Sequence, residues 1–127
     1  MIFLQLMIQH NSMVPIYEQL YNQIQQQIMK GQLTAETVLP SVRKLAKELH
    51  ISALTVKKAY DQLDASGLIH TVPGKGSFVA AVDPEMEKEA QRQEIQQELT
   101  QTITKAKQYQ LTQADITTLV ALLWEAN

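Results

Sequence analysis

A chain of 127 residues has room for one domain, or for one small domain with an appendage. Its 45% hydrophobic content supplies a core, which 6% aromatic content makes aliphatic, and the lack of cysteine excludes disulfides and thiolate metal sites and fits a reducing cytoplasm. The net charge of −2 argues against a nucleic-acid partner only until it is divided: residues 40–80 carry six Lys/Arg against three acids, net +3, whereas residues 81–127 carry four against eight.

The opening MIFLQLMIQ is apolar but too short to span a bilayer, and it lacks the basic flank and small-residue cleavage site of a signal peptide. Ile2, Leu4, Leu6 and Ile8 alternate with Phe3, Gln5 and Met7, which predicts a short strand over residues 2–8. After the polar break Asn11-Ser12, Pro15 opens a helix, a position where its missing N–H costs nothing. Ile16, Leu20, Ile24 and Ile28 give that helix an i+4 apolar stripe, with Tyr17 and Tyr21 expected as core aromatics beside it, and Gly31 ends it. Its outer face is Gln-rich and nearly uncharged. A loop, residues 32–39, then delivers the chain to Pro40.

Leu39 to Tyr60 is the centre of the molecule. Val42, Leu45, Ala46 and Leu49 fall on one helix face, and after the break His50-Ile51-Ser52 the residues Val56, Ala59, Tyr60 and Leu63 repeat the spacing. Ser41 and Ser52 stand where N-caps belong. Two short amphipathic helices joined by so tight a turn form a helix-turn-helix, with the second, recognition helix at about 52–66. Arg43, Lys44 and Lys47 face solvent on the first helix; Ser52, Leu54, Thr55, Lys57 and Lys58 do so on the second. Such a pattern suits a helix whose N-terminal end enters a DNA major groove while its flanks touch phosphates.

Ala65-Ser66-Gly67 stops the recognition helix. Two β-prone runs, Leu68–Val72 and Ser77–Ala80, flank Pro73-Gly74-Lys75-Gly76 and predict a hairpin wing over about 69–80, its tip at Gly74 and Lys75. Asp83-Pro84 marks a boundary between a domain at 1–82 and a helical tail at 83–127. Residues 84–109 form a long helix with a thin apolar stripe, and Thr112 with Asp115 is a capping-box start for a second, densely apolar helix. Two helices alone cannot bury so wide an apolar surface. Either they fold back on the N-terminal domain or they pair with a second chain; the sustained stripe of a helix that projects past the wing favours pairing, through Ile95, Leu99, Ile103, Ile116, Leu119, Val120, Leu123 and Trp124.

The fold expected is mainly α with a small β-hairpin: a winged helix-turn-helix DNA-binding domain plus a two-helix C-terminal dimerisation tail. Neither a nucleophile–base set nor a phosphate loop is visible, and His10, His50 and His70 lack the paired spacing of a zinc site. No enzyme, metal or cofactor is expected.

Leu39-Pro40-Ser41-Val42-Arg43-Lys44-Leu45-Ala46, Thr55-Val56-Lys57-Lys58-Ala59-Tyr60, Leu63, Gly67-Leu68-Ile69 and Gly74-Lys75-Gly76-Ser77-Phe78-Val79 resemble the GntR family of bacterial transcription regulators over about residues 14–80. Pro15-Ile16-Tyr17-Glu18-Gln19-Leu20, Ala59-Tyr60 and the short tail resemble its YtrA-type subgroup. The resemblance implies a cytoplasmic homodimer, bound to double-stranded DNA at an inverted repeat, that represses a nearby operon, often one encoding an ABC transporter. The family's DNA-contacting positions fall on Arg43, Ser52, Ala53, Leu54, Thr55, Lys57, Gly74 and Lys75, with Lys44 and Lys58 beside them. Two residues depart from the pattern. Ala53 stands where many relatives have arginine, which removes a bidentate guanine contact. His50 stands where glycine is frequent, and histidine tolerates the left-handed backbone better than most residues. A small-molecule effector is unidentified, and the alternative function is a winged-helix protein-interaction module.

Overall fold

The computed structural model describes residues 5–127, which form five helices and one two-stranded sheet. In chain order these are α1 (Ile16–Met29), α2 (Val42–Leu49), α3 (Ala53–Ala65), β1 (Ile69–Val72), β2 (Gly76–Val79), α4 (Pro84–Gln108) and α5 (Gln113–Ala126). The chain divides into two compact units, Met1–Ala90 and Gln91–Asn127.

In the first unit the predicted stripes become one core. Leu20, Ile24 and Ile28 of α1, Leu45 and Ala46 of α2, and Val56, Ala59, Tyr60 and Leu63 of α3 are all buried, joined by Leu33, Leu39, Leu68, Ile69 and Val79. Fully burying a side chain of this size contributes about 1.5–3 kcal/mol, so this aliphatic set is the main source of the unit's stability. Tyr21 packs against it and its hydroxyl lies 2.9 Å from Ser66 Oγ, tying α1 to the end of α3. Tyr17 is different from expectation: it is only half-buried, and its ring carries the ammonium of Lys58 at 3.8 Å. A position at the edge of the stripe lets the ring serve a cation instead of the core.

The caps follow the sequence closely. Ser41 Oγ accepts from Lys44 N–H at 3.2 Å, and Ser52 Oγ accepts from Thr55 N–H at 3.1 Å. His50 closes α2 in the left-handed conformation (φ 56°, ψ 46°), and Ile51 N–H reaches back to Ala46 O at 3.0 Å. The three-residue turn is thus set by an αL residue followed at once by a new cap.

The N-terminal segment corrects one expectation. Residues 2–4 of the predicted strand lie outside the described residues, and no strand forms over residues 5–8. What holds the segment is a column of glutamine side chains on α1. Gln23 Oε1 accepts from Met7 N–H at 2.8 Å while its Nε2 donates to Met7 O at 2.7 Å. Gln19 does the same for Gln9, at 2.9 and 3.0 Å, and Gln27 Nε2 donates to Gln5 O at 2.8 Å. Side-chain amides spaced i+4 along the helix thereby pair with alternate residues of the segment, as a neighbouring strand would. Leu6 and Ile8 turn toward the core.

The loop before Pro40 is also more regular than the sequence indicated. Glu36 N–H donates to Val79 O, Val79 N–H to Thr37 O, and Leu39 N–H to Ser77 O, at 2.7, 2.9 and 2.9 Å. Val38 bridges Phe78, so this stretch lines the outer edge of β2. β1 and β2 pair antiparallel from Ile69–Val79 to Val72–Gly76.

In the second unit, Thr112 and Asp115 make a reciprocal capping box, with Thr112 N–H to Asp115 Oδ2 at 2.8 Å and Asp115 N–H to Thr112 Oγ1 at 3.1 Å. These bonds hold the Asp115 carboxyl below its ordinary range, the Thr112 backbone N–H contributing most. Gln110 takes positive φ (64°) at the corner, and Ala106 is buried beneath it.

Candidate nucleic-acid interface

Exposed cations of the first unit stand on α2, on α3 and at the tip of the wing. The stripes that face the core also decide what faces out. On α3, burial of Val56, Ala59, Tyr60 and Leu63 leaves Ala53, Leu54, Lys57, Lys58 and Asp61 exposed. On α2, burial of Leu45 and Ala46 leaves Arg43, Lys44 and Lys47 exposed. Tyr60 ties the two helices together, its hydroxyl donating to Pro40 O at 2.7 Å just ahead of the α2 cap. Burial, and then the charge of Glu48, push this phenol well above its ordinary range, so it stays protonated and donating.

At the tip of α3 the two hydroxyls are committed to each other. Ser52 Oγ lies 2.7 Å from Thr55 Oγ1 while it also accepts the Thr55 N–H. Between them Leu54 is 79% exposed. One turn along, Lys57 Nζ lies 2.8 Å from Asp61 Oδ2, an i,i+4 pair with both side chains more than 60% exposed. An exposed pair of this kind is worth little, so Lys57 can exchange Asp61 for a phosphate or a base edge at small cost. Lys58 points to the α1 side, over Tyr17. The two adjacent lysines therefore stand in different places, one beside the helix tip and one at the flank.

The wing tip is a three-residue loop. Lys75 N–H donates to Val72 O at 2.9 Å, and Gly74 at the third turn position has φ 79°, the signature of a type II turn after Pro73. Gly76 (φ 120°) begins the returning strand, and Thr71 Oγ1 lies 3.0 Å from Ser77 Oγ across the hairpin. The turn leaves Lys75 exposed. At the root of the wing, His70 Nε2 is 3.4 Å from Glu36 Oε1 and its ring stands 5.6 Å from that of Phe78. Sequence reading missed this contact because it joins a strand to a loop whose pairing has no periodic signal.

The second unit presents apolar surface in quantity. Ile95, Leu99 and Ile103 on α4 and Leu119, Val120, Leu123 and Trp124 on α5 are each 43–78% exposed, and Ile116 is half-buried. An open apolar cleft of about 480 Å³ lies between the second half of α4 and α5, lined by Leu99, Ile103, Leu111, Ile116 and Val120 among others. Among the described residues, no cluster of His, Asp or Glu is placed to hold a metal ion, and no helix is long and apolar enough to cross a membrane.

This architecture has known counterparts. The family described as "Bacterial regulatory proteins, gntR family" matches residues 16–79, just over half of the chain. The repressor YtrA of Bacillus subtilis is 39% identical over 69 residues, 54% of this chain and 53% of that protein. YhdI of the same organism, an HTH-type transcriptional regulator, is 42% identical over 58% of this chain but only 16% of its own length. The chain thus spans from about a sixth to about half of these relatives. Among solved structures, a transcriptional regulator from Oenococcus oeni superimposes with a TM-score of 0.64 at 29% identity, over 92% of this chain and 97% of that one. The AraR DNA-binding domain in complex with operator ORX1 superimposes with a TM-score of 0.54 at 30% identity, over 61% and 96%. With its winged helix-turn-helix inside the matched region and YtrA among its relatives, the chain belongs to the gntR family of bacterial regulatory proteins.

Proposed function

We propose that this chain is a homodimeric, sequence-specific repressor that places one α3 in the major groove of each half-site of an inverted-repeat operator. The observation that carries the reading is the exposure of Arg43 and Lys44 on α2 and of Ala53, Leu54 and Lys57 on α3, the two helices of a helix-turn-helix, on a fold that AraR uses in a complex with operator DNA. In this arrangement Arg43, Lys44, Lys58 and Lys75 hold phosphates and fix register, while Ser52, Ala53, Leu54, Thr55 and Lys57 face base edges. Gly74 lets the wing turn approach the backbone. The YtrA-type resemblance implies that the operon controlled lies nearby in the genome, such operons often encoding an ABC transporter, and that the protein works in the cytoplasm.

Dimerisation rests on the apolar surface of the second unit. Each of the large side chains exposed there would contribute about 1.5–3 kcal/mol if a second copy buried it fully. The domain boundary proposed, 82/83, assigns both tail helices to that task.

The test is a gel-shift titration with duplexes selected from a randomised pool, repeated across salt concentrations. Log affinity should fall linearly with log salt, with a slope of about −0.9 per phosphate neutralised. Lys57→Ala should weaken binding to the selected site. Affinity that ignores both salt and this substitution would mean that the face is misassigned. A chain that elutes as a monomer and enriches no sequence would instead favour a protein-interaction module, for which the exposed apolar tail is the supporting feature.

A further inference from the structure

We infer that Leu54 reads the C5-methyl group of a pyrimidine, so that the operator half-site carries a thymine opposite the tip of α3. The inference rests on the DNA-binding reading above and adds the base feature that is recognised.

Leu54 has no part in the core. On a helix with 100° per residue it stands about 200° from Val56 and about 180° from Leu63, opposite the buried stripe. It is 79% exposed. A single exposed leucine on an ordinary surface carries no information; the surroundings of this one do. Ala53 beside it adds a second apolar group, exposed. The hydroxyls on either side, Ser52 and Thr55, are 2.7 Å apart and joined, and Ser52 also serves the helix cap. Lys57 follows only one turn further on, its ammonium 2.8 Å from Asp61. The leading end of the recognition helix is therefore an apolar point whose two flanking hydroxyls are turned to one another.

Only one major-groove group rewards such a surface. Adenine, guanine and cytosine present nitrogen and oxygen atoms along the groove floor, and thymine adds a methyl. A leucine pressed on a polar edge would strip it of water without replacing the hydrogen bond, whereas contact with the methyl removes two apolar surfaces from water together. Discrimination at this position thus comes from both an attractive and a repulsive term.

The experiment selects an operator with the full-length chain from a randomised duplex pool, then replaces each thymine in turn by deoxyuridine, which deletes only the methyl group. One thymine in each half-site should prove sensitive, its replacement weakening binding by about fourfold, the factor that accompanies burial of one methyl-sized group. Leu54→Ala should bind the parent site more weakly and should be indifferent to that same replacement. With cytosine at the sensitive position, 5-methylcytosine should be bound better than unmodified cytosine. An enriched site in which no thymine is sensitive, or in which Leu54→Ala is as sensitive as the parent, overturns the role of Leu54 and leaves the DNA-binding reading standing. A pool that yields no enriched site overturns both.

Discussion

Removal of a single oxygen atom, by Tyr60→Phe, tests how the recognition helix is joined to the turn that precedes α2. Tyr60 is 5% exposed and its hydroxyl donates to Pro40 O at 2.7 Å. At neutral pH the substitution removes that bond and nothing else from the core, a loss of about 1 kcal/mol. For a unit of this size the loss lowers Tm by roughly 4–8 °C. The pH dependence gives a sharper signature. Burial and the charge of Glu48 raise the folded phenol above its ordinary 10.0. Because the folded pKa is the higher one, the stabilisation is complete below pH 10 and falls as pH rises through the interval above it, where the unfolded chain has already lost the proton. In that interval the parent protein loses about 1.4 kcal/mol per pH unit that the phenylalanine variant does not lose. The two stabilities should therefore cross at about pH 11. Urea titrations followed by circular dichroism, from neutral to about pH 11.5, measure the difference directly. Equal stability at neutral pH, or a difference that stays constant with pH, would refute the reasoning.

Other parts of the molecule make equally direct predictions. Gln23→Leu removes both bonds that hold Met7 and should speed amide exchange at Met7 and proteolysis within residues 5–9, leaving the α3 amides protected; unchanged exchange at Met7 would count against the glutamine column. His50→Gly should stabilise by about 1 kcal/mol because it removes the Cβ crowding at φ 56°, while His50→Ala, which keeps the Cβ, should gain none of this; thermal melts of the two variants separate this backbone effect from any role of the imidazole. The Asp115 carboxyl is held below its ordinary 3.8 by Thr112, so the capping box contributes above that value and is lost as pH falls through the depressed pKa. Helix content should decline over that acidic interval, and Thr112→Ala should lower it already at neutral pH, read by circular dichroism.

Much of the DNA-binding unit was legible in the sequence because its signals are local. The i, i+3, i+4, i+7 spacing of Val42–Leu49 and Val56–Leu63 named the residues that the core buries, apart from the half-buried Val42 and Leu49 at the ends of the first set. Ser41 and Ser52 named the helix starts, and His50 named the left-handed turn. What escaped was held by bonds between segments far apart in the chain. The apolar alternation of the N-terminal segment suggested a strand, yet its partners proved to be the amides of Gln19, Gln23 and Gln27, 10 to 22 residues away. The loop 36–39 likewise finds its partner on β2, and Lys58 finds Tyr17 on another helix. At the interface, residue type indicated that lysines 57 and 58 face outward, but only the packing of α3 on α1 separates their surroundings.

The glutamine column grips main-chain atoms, and a grip on main chain is indifferent to side-chain identity. Positions 5, 7 and 9 can therefore change residue type without loosening the arm, save to proline at 7 and 9, where the donated N–H would be lost, whereas Gln19, Gln23 and Gln27 cannot. Slippage is a different matter. Deleting one residue from the arm would still offer amides to the same three glutamines, but it would exchange the inward places of Leu6 and Ile8 for outward ones. The arm is thus tolerant of substitution and intolerant of a change in length.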